Sequence, residues 1–527
     1  MLSKPPNVLP TTKLGHAIFL CFFLLVPTRG WAAVHYVAPT GADTNPGTSN
    51  SPFATLMRAQ TAATAGDTVY LRGGTYRLDN THLTATNNPW AIVNNITKSR
   101  ISYVAFPGER PVFDFSGVEP VGYRVTAFLV TASDCTFRGF EVVGVTVNVT
   151  GVNSQSECFR VAGGNRNRFE QLALHDGMGI GWYLTSGQSN LVVNCDAYNN
   201  RGLDSYSIGN IDGFGAHPSS TSGTGNVFRG CRAWFNSDDG FDLINAKAPV
   251  VIENCWAFYN GYFTNFASSG GDANGFKSGG YGISGGSYPI PVPRHITRFS
   301  LAVRNRANGF YANHHTGGLD WVNNTAYRNA RNFNLLCNLN ALGSSNDVPG
   351  FDQVLKNNLG YRATTSEVSN LGPTNDTTYN YFTLAVTVAT NDFMALDESL
   401  LTAPRQANGD LPYIAFTQLN SASDLRDVGT NAGFAFAGSA PDLGAFEYGL
   451  QPPPTLQISG RAGALRFTGG GGPAGGTNYL LATTNPALAA ALWPRVATNQ
   501  FDLAGNYSLT SSVPVGAARQ FYRLQLP

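Results

Sequence analysis

The sequence predicts an all-β protein: a right-handed parallel β-helix with an N-terminal capping helix, followed by a small C-terminal β-sandwich-like domain. Three observations lead to this prediction. A six-residue pattern recurs along the middle of the 527-residue chain, with a spacing of 24 residues that appears three times. The 59 glycines and the 12% of aromatic residues favour short strands joined by tight turns. A helical segment precedes the repeats, and an alternation of apolar and polar residues follows them.

The repeated pattern has a small residue, almost always Ala, in third place and an apolar residue in fourth place. Its copies start 24, 36, 24, 45, 24 and 34 residues apart, which indicates a unit of 24 residues with insertions. Units of this length with few helix signals predict the stacked coils of a β-helix. A leucine-rich repeat has a similar length, but its leucine spacing is absent. The copies begin at Gln171, Cys195, Cys231, Cys255, Ser300, Asn324 and Asn358.

Residues in the same place of successive copies form columns with a spacing of about 4.8 Å. The Ala column is expected to point into a narrow core. The sixth place holds Asn at a turn, where Asn tolerates a left-handed backbone and stacked amides can hydrogen-bond to one another. Three cysteines share a column in which we expect a ladder of buried thiols, with a disulfide as the alternative. The columns contain Asn200, Asn236, Asn260, Asn305 and Asn329, and Cys195, Cys231 and Cys255.

Both ends of the stack carry elements that complete the domain. Ser51 as an N-cap, Pro52 and the helical spacing that follows predict an amphipathic helix that ends near Gly66 and caps the first coil. The repeat is lost from about residue 366, and the residues beyond are expected to wrap the last coils. The predicted organisation is a signal peptide at 1–33, a β-helix domain at 34–450, a Pro-rich linker at 451–455 and the small β domain at 456–527.

The N-terminus has the features of a signal peptide. Positive charge at Lys4 and Lys13 precedes an apolar run at 17–26 that is short for a membrane span, and small residues lead to cleavage near Ala33. A retained anchor is the alternative. We expect a secreted protein, extracellular or periplasmic, that is a monomer without membrane contact in its mature form. The net charge of +1 gives no basis for binding nucleic acid. The sparse cysteines, without a CxxC pair, indicate neither a disulfide scaffold nor a zinc site.

Three carboxylates fall within five residues, at Asp238, Asp239 and Asp242, in a chain in which only 13% of residues are charged. A second repeated pattern, Asp or Asn followed by Gly and Phe, places four phenylalanines in one column. This alignment puts Asp212 beside Asp239 and Asp242 beside Lys277 on adjacent coils. Four carboxylates and one lysine therefore converge within roughly 10 Å. The aligned residues are Phe214, Phe241, Phe276 and Phe310.

Carboxylates stacked on adjacent strands destabilise a fold unless their charge is compensated, and one lysine compensates for one charge at most. A lone Asp-Asp-Gly is typical of a solvated turn, but the column favours a divalent cation. Calcium takes six to eight oxygen ligands, whereas zinc and copper prefer His and Cys, which the cluster lacks. On a uronic-acid polymer, calcium at the substrate carboxylate would acidify the neighbouring C–H, and a neutral Lys277 would remove the C5 proton. A salt bridge to Asp242 is the alternative role of this lysine.

Three segments resemble polysaccharide lyase family 9, the pectate lyases and their relatives. They are GNVFRGCRAWFNSDDGFDL at 225–243, NGFKSGG at 274–280 and NHHTGG at 313–318. The segments 35–76 and 440–447 are similar to the opening and the end of the same domain, so the resemblance spans about 34–450 but not the C-terminal domain.

The resemblance implies a calcium-dependent pectate lyase that cleaves polygalacturonate or a related uronate polymer by β-elimination. It also implies Asp212, Asp238, Asp239 and Asp242 as calcium ligands and Lys277 as the base. The family tends to have Ala-Ala-Lys after Asp-Gly-Phe, where this chain has Gly215-Ala216-His217. His217 would make the attraction for substrate carboxylates weaker and pH-dependent. Beyond Lys277, we expect Tyr311 and His314 to line the substrate groove, with turn packing as the alternative.

Two rival functions fit the same scaffold. A glycoside hydrolase could use paired carboxylates as acid and base, but this leaves Lys277 without a role. A carbohydrate-binding or adhesion β-helix with structural calcium predicts binding without cleavage. Formation of an unsaturated product that absorbs ultraviolet light distinguishes the lyase from both.

Overall fold

The computed structural model shows a parallel β-helix followed by two small antiparallel sheets. The predicted signal peptide at 1–33, apart from its last two residues, and the predicted linker at 451–455 lie outside the residues that the structure describes. Within the described part of the chain, no helix combines the length and apolar character that a membrane crossing requires. The described ranges are 32–280, 289–339, 346–449, 456–461, 464–472, 476–486, 488, 492–502, 505–512 and 520–526.

Each coil contributes one strand to each of three sheets, and the strands pair in parallel with the preceding and following coils. Sheet 1 contains Val34–Val37, Thr68–Leu71, Ser102–Ala105, Thr136–Arg138, Arg168–Glu170, Leu191–Val193, Asn226–Arg229, Val250–Glu253, Ile296–Arg298, Asp320–Val322 and Val354–Lys356. Sheet 2 contains Gly74–Asp79, Pro111–Gly117, Glu141–Val143, Ala173–His175, Asp196–Tyr198, Arg232–Trp234, Trp256–Phe258, Leu301–Val303, Thr325–Tyr327 and Leu359–Tyr361. Sheet 3 contains Trp90–Ile96, Arg124–Val130, Ser156–Ala162, Gly179–Ser186, Phe214–Ala216, Phe241–Asp242, Phe276–Lys277, Asn308–Tyr311, Arg331–Asn334 and Ser366–Ser369, with Ala85–Asn87 added antiparallel at its edge.

The predicted Ala column is confirmed in sheet 2, but the first copy of the repeat starts one residue later than predicted. Ala197, Ala233 and the alanines of the next three coils pair in register and are fully buried. The strand before them pairs Leu174, not Ala173, with Ala197. A shift of one residue in register exchanges the two faces of a strand. The observed register turns Leu172 and Leu174 into the core. The copy therefore begins at Leu172.

The predicted Asn ladder lies at the corner after sheet 2 and is fully buried. The Asn260 amide nitrogen donates to Ala233 O (3.1 Å) and to Asn305 Oδ1 (2.9 Å), and its oxygen accepts from Asn236 Nδ2 (3.1 Å). The expectation that the ladder residues themselves are left-handed is wrong. The residue before each Asn makes the reversal, as Tyr259 does at φ 60°, and this leaves the amide free to bridge the coils.

Buried side chains of one kind stack through the core of the coils. The rings of the predicted Phe column stack with centroid separations of 5.1, 5.0 and 4.9 Å from Phe214 to Phe310. The six cysteines in the described ranges are buried free thiols, which confirms the thiol ladder over the disulfide. Dispersion contacts between such layers make the interior a continuous apolar core.

The capping helix is present at Leu56–Ala62 and buries Leu56 and Ala59 against the first coils. Its N-cap is Thr55, whose hydroxyl accepts from Arg58 N, and not Ser51 as predicted. Ser51 is instead held by a β-bridge to Thr48, so the helix starts later. The other short helices among the described residues are Ser205–Ile208 and the 3₁₀ turns Asn80–His82, Gly151–Asn153, Thr390–Asp392 and Glu398–Thr402.

The repeat continues slightly further than predicted, because Ser366–Ser369 still pairs with Arg331–Asn334 in sheet 3. The following residues run back along the outer face of sheet 2 rather than only over the last coils. Arg405 reaches Asp196, with Nη2 2.6 Å from Oδ1, and Asn408 O accepts from Gln171 Nε2 at 2.6 Å. A further antiparallel pair joins Cys337–Asn338 to Asp347–Val348, and Cys337 also bridges His315 of the preceding coil in parallel. The C-terminal residues form two three-stranded sheets, Gln457–Arg461, Ala464–Gly469 and Tyr507–Ser512, and Arg495–Gln500, Thr477–Thr483 and Phe521–Gln525, as a small sandwich requires.

Candidate active site

The candidate site lies on the outer face of sheet 3. Inward-facing phenylalanines fix the register, so the residue after each Phe points outward. Gly215, Asp242, Lys277 and Tyr311 therefore form one outward column on four successive coils. The predicted placement of Asp242 beside Lys277 is confirmed. The Gly of the motif is needed for close stacking, since a Cβ on Gly240 would lie 2.6 Å from Gly275 O.

Three of the four predicted carboxylates form a tight buried group. Asp212, Asp238 and Asp239 each offer an oxygen within 4.8 Å of the others. Backbone amides hold them: Asp239 N donates to Asp212 Oδ1 at 3.2 Å, and Asp272 N donates to Asp238 Oδ1 at 2.6 Å. Asp242 lies beside this group, and its Oδ1 accepts from Ile244 N at 2.7 Å.

Asn274 orients Asp239, a role that the sequence analysis missed. Its backbone N and its side-chain Nδ2 both lie 2.7 Å from Asp239 Oδ1. The sequence does contain a sign of this role, because Asn274 stands in the same column of the Asp/Asn-Gly-Phe pattern as Asp212 and Asp239. An amide in that column donates where a carboxylate would repel.

Lys277 points into the carboxylates. Its Nζ lies 3.1 Å from Asp239 Oδ2, 3.4 Å from Asp242 Oδ2 and 3.8 Å from Asp272 Oδ2, and its side chain is only 8% exposed. The ion pair to Asp242 raised as an alternative is therefore present, and Asp239 makes a closer one. Asp272 was not predicted as part of the site.

The pKa values follow from burial and from crowding of like charge. Burial raises the pKa of Asp212 and Asp238 well above the ordinary range, and the neighbouring carboxylates raise it further. Burial also raises the pKa of Asp239 to about 6, although Lys277 opposes this effect. Burial alone would lower the pKa of Lys277, but the surrounding carboxylates raise it well above its ordinary value. The carboxylates as arranged thus hold the lysine as ammonium.

The predicted residue His217 lies against the same cluster. Its Nδ1 is 3.2 Å from the hydroxyl of Tyr183, and its Nε2 is 3.8 Å from Asp242 Oδ2. Burial lowers the pKa of His217, while Asp242 opposes this effect. The imidazole is therefore a weak source of positive charge at neutral pH.

The other two predicted groove residues, Tyr311 and His314, contact each other beside Lys277. The Tyr311 hydroxyl is 3.0 Å from His314 Nε2, and His314 Nδ1 is 2.6 Å from Asp347 Oδ1. Sequence analysis could not identify Asp347, because it lies on the antiparallel pair of Cys337–Asn338 with Asp347–Val348, outside every copy of the repeat.

The donor set fits a hard divalent cation. Asp212, Asp238 and Asp239 offer only carboxylate oxygens, which are the ligands that Ca²⁺ and Mg²⁺ prefer. Their mutual repulsion is compensated by one buried ammonium group, so a cation would relieve the remaining charge.

Comparison with known proteins agrees with this geometry. A family model described as the Pel9A-like, right-handed β-helix region matches residues 35–358, more than half of the chain. The chain belongs to this family, polysaccharide lyase family 9. The family 9 chain is 36% identical to pectate lyase L of Dickeya chrysanthemi over 421 residues, which cover 79% of this chain and 90% of the relative. It is 32% identical to pectate lyase L of Paenibacillus polymyxa over 455 residues, covering 81% and 91%.

Two solved structures share the fold of this family 9 chain. A rhamnogalacturonan lyase is 43% identical, with a TM-score of 0.71, and the match covers 74% of this chain and 97% of that structure. Pectate lyase Pel9A is 32% identical, with a TM-score of 0.63, covering 79% and 97%. The chain is accordingly a polysaccharide lyase, which favours the lyase prediction over the hydrolase and binding-protein alternatives.

Proposed function

We propose that this lyase is a secreted, calcium-dependent enzyme that cleaves polygalacturonate by β-elimination. The observation that carries the proposal is Lys277 Nζ held 3.1 Å from Asp239 and 3.4 Å from Asp242, beside the buried group of Asp212, Asp238 and Asp239. A single amine among crowded carboxylates suits proton abstraction next to a metal-bound uronate, whereas hydrolysis needs no amine.

The residues that would hold calcium are Asp212, Asp238, Asp239 and Asp242. Bound Ca²⁺ would supply positive charge that neutralises these carboxylates, binds the substrate carboxylate and acidifies the C5 proton. Asn274 would keep Asp239 oriented through its two 2.7 Å hydrogen bonds.

Lys277 is proposed as the base that takes the C5 proton. The electron pair of the C5–H bond forms the C4=C5 double bond, and the glycosidic oxygen leaves C4 with its bonding pair. Because the neighbouring carboxylates raise the pKa of Lys277, the neutral amine requires their charge to be compensated first. Activity should therefore depend on metal loading.

The test is ultraviolet absorbance of the unsaturated product from polygalacturonate, with calcium and with a chelator. We expect a calcium-dependent rise in the wild type that Lys277→Ala lowers at least about 10³-fold, while calorimetry shows that the variant still binds calcium. Lys356→Ala is a matched control, because Lys356 is also ion-paired, to Asp376 at 3.2 Å, but lies on sheet 1. A chelated wild type with full activity would contradict the metal dependence.

Rhamnogalacturonan is a second candidate substrate. It is favoured by the 43% identity to a rhamnogalacturonan lyase and by the weakly charged His217 beside Asp242. Its backbone alternates galacturonate with a neutral sugar, so it needs fewer positive charges along the groove than polygalacturonate. Equal amounts of both polymers in the same assay decide the substrate, and the role of Lys277 is unchanged if rhamnogalacturonan is cleaved faster.

The domain limits and export are also proposals. We infer the lyase domain at 34–450, the linker at 451–455 and the small β domain at 456–527, with a signal peptide removed near Ala33. N-terminal sequencing of the exported protein tests the cleavage site. Limited proteolysis tests the linker, because a cut there should release an intact β-helix.

A further inference from the structure

Tyr311, His314 and Asp347 form a hydrogen-bonded chain that the proposed base does not use. The Tyr311 hydroxyl lies 3.0 Å from His314 Nε2, and His314 Nδ1 lies 2.6 Å from Asp347 Oδ1. Asn338 Nδ2 also donates to Asp347 Oδ1, at 3.1 Å, which fixes the carboxylate. Three polar groups are thus aligned behind one phenol.

The order of these groups determines what the imidazole can do. A carboxylate only accepts, so His314 Nδ1 carries a proton and donates it to Asp347. Nε2 then faces the phenol oxygen. In the imidazolium form Nε2 donates to Tyr311, and the phenol proton is free to point into the groove. A carboxylate that orients an imidazole towards a reacting hydroxyl is the arrangement of acyl-transfer triads, here with a phenol at the end.

The phenol stands beside Lys277 on the face proposed to bind substrate. Tyr311 and Lys277 are paired residues on adjacent strands of sheet 3, and both point outward. Their polar ends have different partners. Lys277 Nζ lies against Asp239 and Asp242 of the preceding coil, whereas the Tyr311 hydroxyl lies against His314 of its own coil.

The stereochemistry of galacturonate suits this separation. The C5–H bond and the C4–O4 bond of the ring are trans-diaxial, so base and acid must approach from opposite sides of the ring. A sugar ring bound between the amine of Lys277 and the phenol of Tyr311 would meet this requirement. The phenol also keeps its proton, because burial raises the pKa of Tyr311 above its ordinary value, although Lys277 opposes this effect.

We propose that Tyr311 is the general acid that protonates the leaving oxygen, with His314 and Asp347 as positioning residues behind it. The inference rests on the proposed function. Lys277 takes the C5 proton, the C5–H pair forms C4=C5, and the C4–O4 pair leaves with O4. O4 takes the Tyr311 proton and becomes the hydroxyl of the new reducing end. The phenol oxygen regains a proton from His314 Nε2, and Lys277 and His314 then exchange protons with solvent.

Tyr311→Phe tests the acid directly, because only the hydroxyl is lost. On the polymer that the wild type cleaves, we expect kcat to fall by about 10²–10⁴-fold with KM within about twofold. Calcium affinity should not change. Tyr361→Phe is the matched control, since its hydroxyl also makes a side-chain hydrogen bond, to Thr390 Oγ1 at 2.9 Å, but lies on sheet 2.

A substrate with an activated leaving group separates the acid from the base. An oligogalacturonide with 4-nitrophenoxide on C4 of its non-reducing residue releases a stable anion that needs no proton. Tyr311→Phe should cleave it within about threefold of the wild-type rate, whereas Lys277→Ala should lose activity on both substrates. An equal loss of both activities in Tyr311→Phe, or no loss on the polymer, overturns the inference.

The positioning role of His314 has its own chemical test. His314 has a φ of 57°, which glycine adopts without strain, so His314→Gly leaves a cavity in an unstrained backbone. Added imidazole should raise the kcat of this variant at least tenfold and should leave the kcat of Tyr311→Phe unchanged. Absence of rescue, in a variant whose calcium affinity matches the wild type, counts against the relay.

Nuclear magnetic resonance of ¹⁵N-histidine protein tests the chain without any substrate. We expect Nδ1 of His314, assigned by its loss in His314→Gly, to remain protonated in both charge states, and the bond to Asp347 to disappear in Asp347→Ala, which removes the acceptor oxygen. A neutral His314 with the proton on Nε2 overturns the inference. Failure of the proposed function would instead appear as absence of unsaturated product from the wild type.

Discussion

Acidification should weaken calcium binding, because protons on the buried carboxylates compete with the cation. The perturbation is a change from pH 8 to pH 5 at constant ionic strength. In the metal-free fold, burial raises the pKa of Asp239 from 3.8 to about 6. A raised carboxyl pKa means that protons occupy the ligand at pH 5 and compete with the cation. The same shift makes the metal-free protein less stable as the pH rises from 3.8 through about 6.

The magnitude follows from the fraction of Asp239 that is protonated. With a pKa of about 6, about ten of eleven molecules carry the proton at pH 5 and almost none carries it at pH 8. The apparent calcium affinity should therefore fall about tenfold, or ~1.4 kcal/mol, from Asp239 alone. An ordinary aspartate with a pKa of 3.8 would lower it by less than a tenth. Asp212 and Asp238, whose pKa values are also raised by burial, increase the loss.

Isothermal titration calorimetry at pH 5, 6, 7 and 8 measures both the affinity and the protons released. At pH 6 Asp239 should release about half a proton per calcium ion, and repeating the titration in buffers of different ionisation enthalpy gives this number. Asp239→Asn is the control: it should bind calcium more weakly and release fewer protons at pH 6. An affinity that changes less than twofold between pH 5 and pH 8 would refute the reasoning, because the carboxylates would then have ordinary pKa values.

Three further changes test the fold and the specificity. Asn260→Ala should lower the free energy of unfolding by about 2–4 kcal/mol, measured by urea unfolding, because Asn236 and Asn305 lose buried partners; a loss below ~0.5 kcal/mol would contradict the ladder. Arg405→Ala should speed proteolysis of the segment on sheet 2, since it removes a 2.6 Å ion pair to partly buried Asp196; unchanged cleavage would show that this ion pair does not hold the segment. His217→Lys should lower KM for polygalacturonate several-fold without changing kcat, and a higher KM would exclude a binding role at this position.

The sequence was informative wherever one residue type repeats at a fixed place. Alignment on the four phenylalanines predicted the pairing of Asp242 with Lys277 and the stacking of Asp212 on Asp239. Both are confirmed by the strand register and by the hydrogen bond from Asp239 N to Asp212 Oδ1. In a solenoid, each coil is a copy of its neighbour, so one correctly aligned column predicts contacts between residues about 30 positions apart.

The errors occurred where the residue type in a column changes or where a segment lies outside the repeat. Residue identity favours matching Ala173 to Ala197, but the structure pairs Leu174 with Ala197. This register buries Leu172 and Leu174, which the burial of the whole strand shows and residue identity does not. Asp347 lies 33 residues beyond its partner His314. Arg405 lies 209 residues beyond its partner Asp196. Such contacts follow from the path of insertions, which no local pattern specifies.

The balance of charge at the site shows how few changes a repeat fold would need to form a candidate metal site. Asp212 and Asp239 stand in the column that continues as Asn274 and Asn308, whose neutral amides stack without repulsion. Replacing an amide by a carboxylate at two successive coils, with Asp238 alongside, creates the group of oxygens within 4.8 Å. Lys277 compensates for one charge, and ionising the other carboxylates carries the cost that their raised pKa values reflect. A divalent cation would remove this electrostatic cost of ionisation, and this is the physical basis for expecting a metal to bind there.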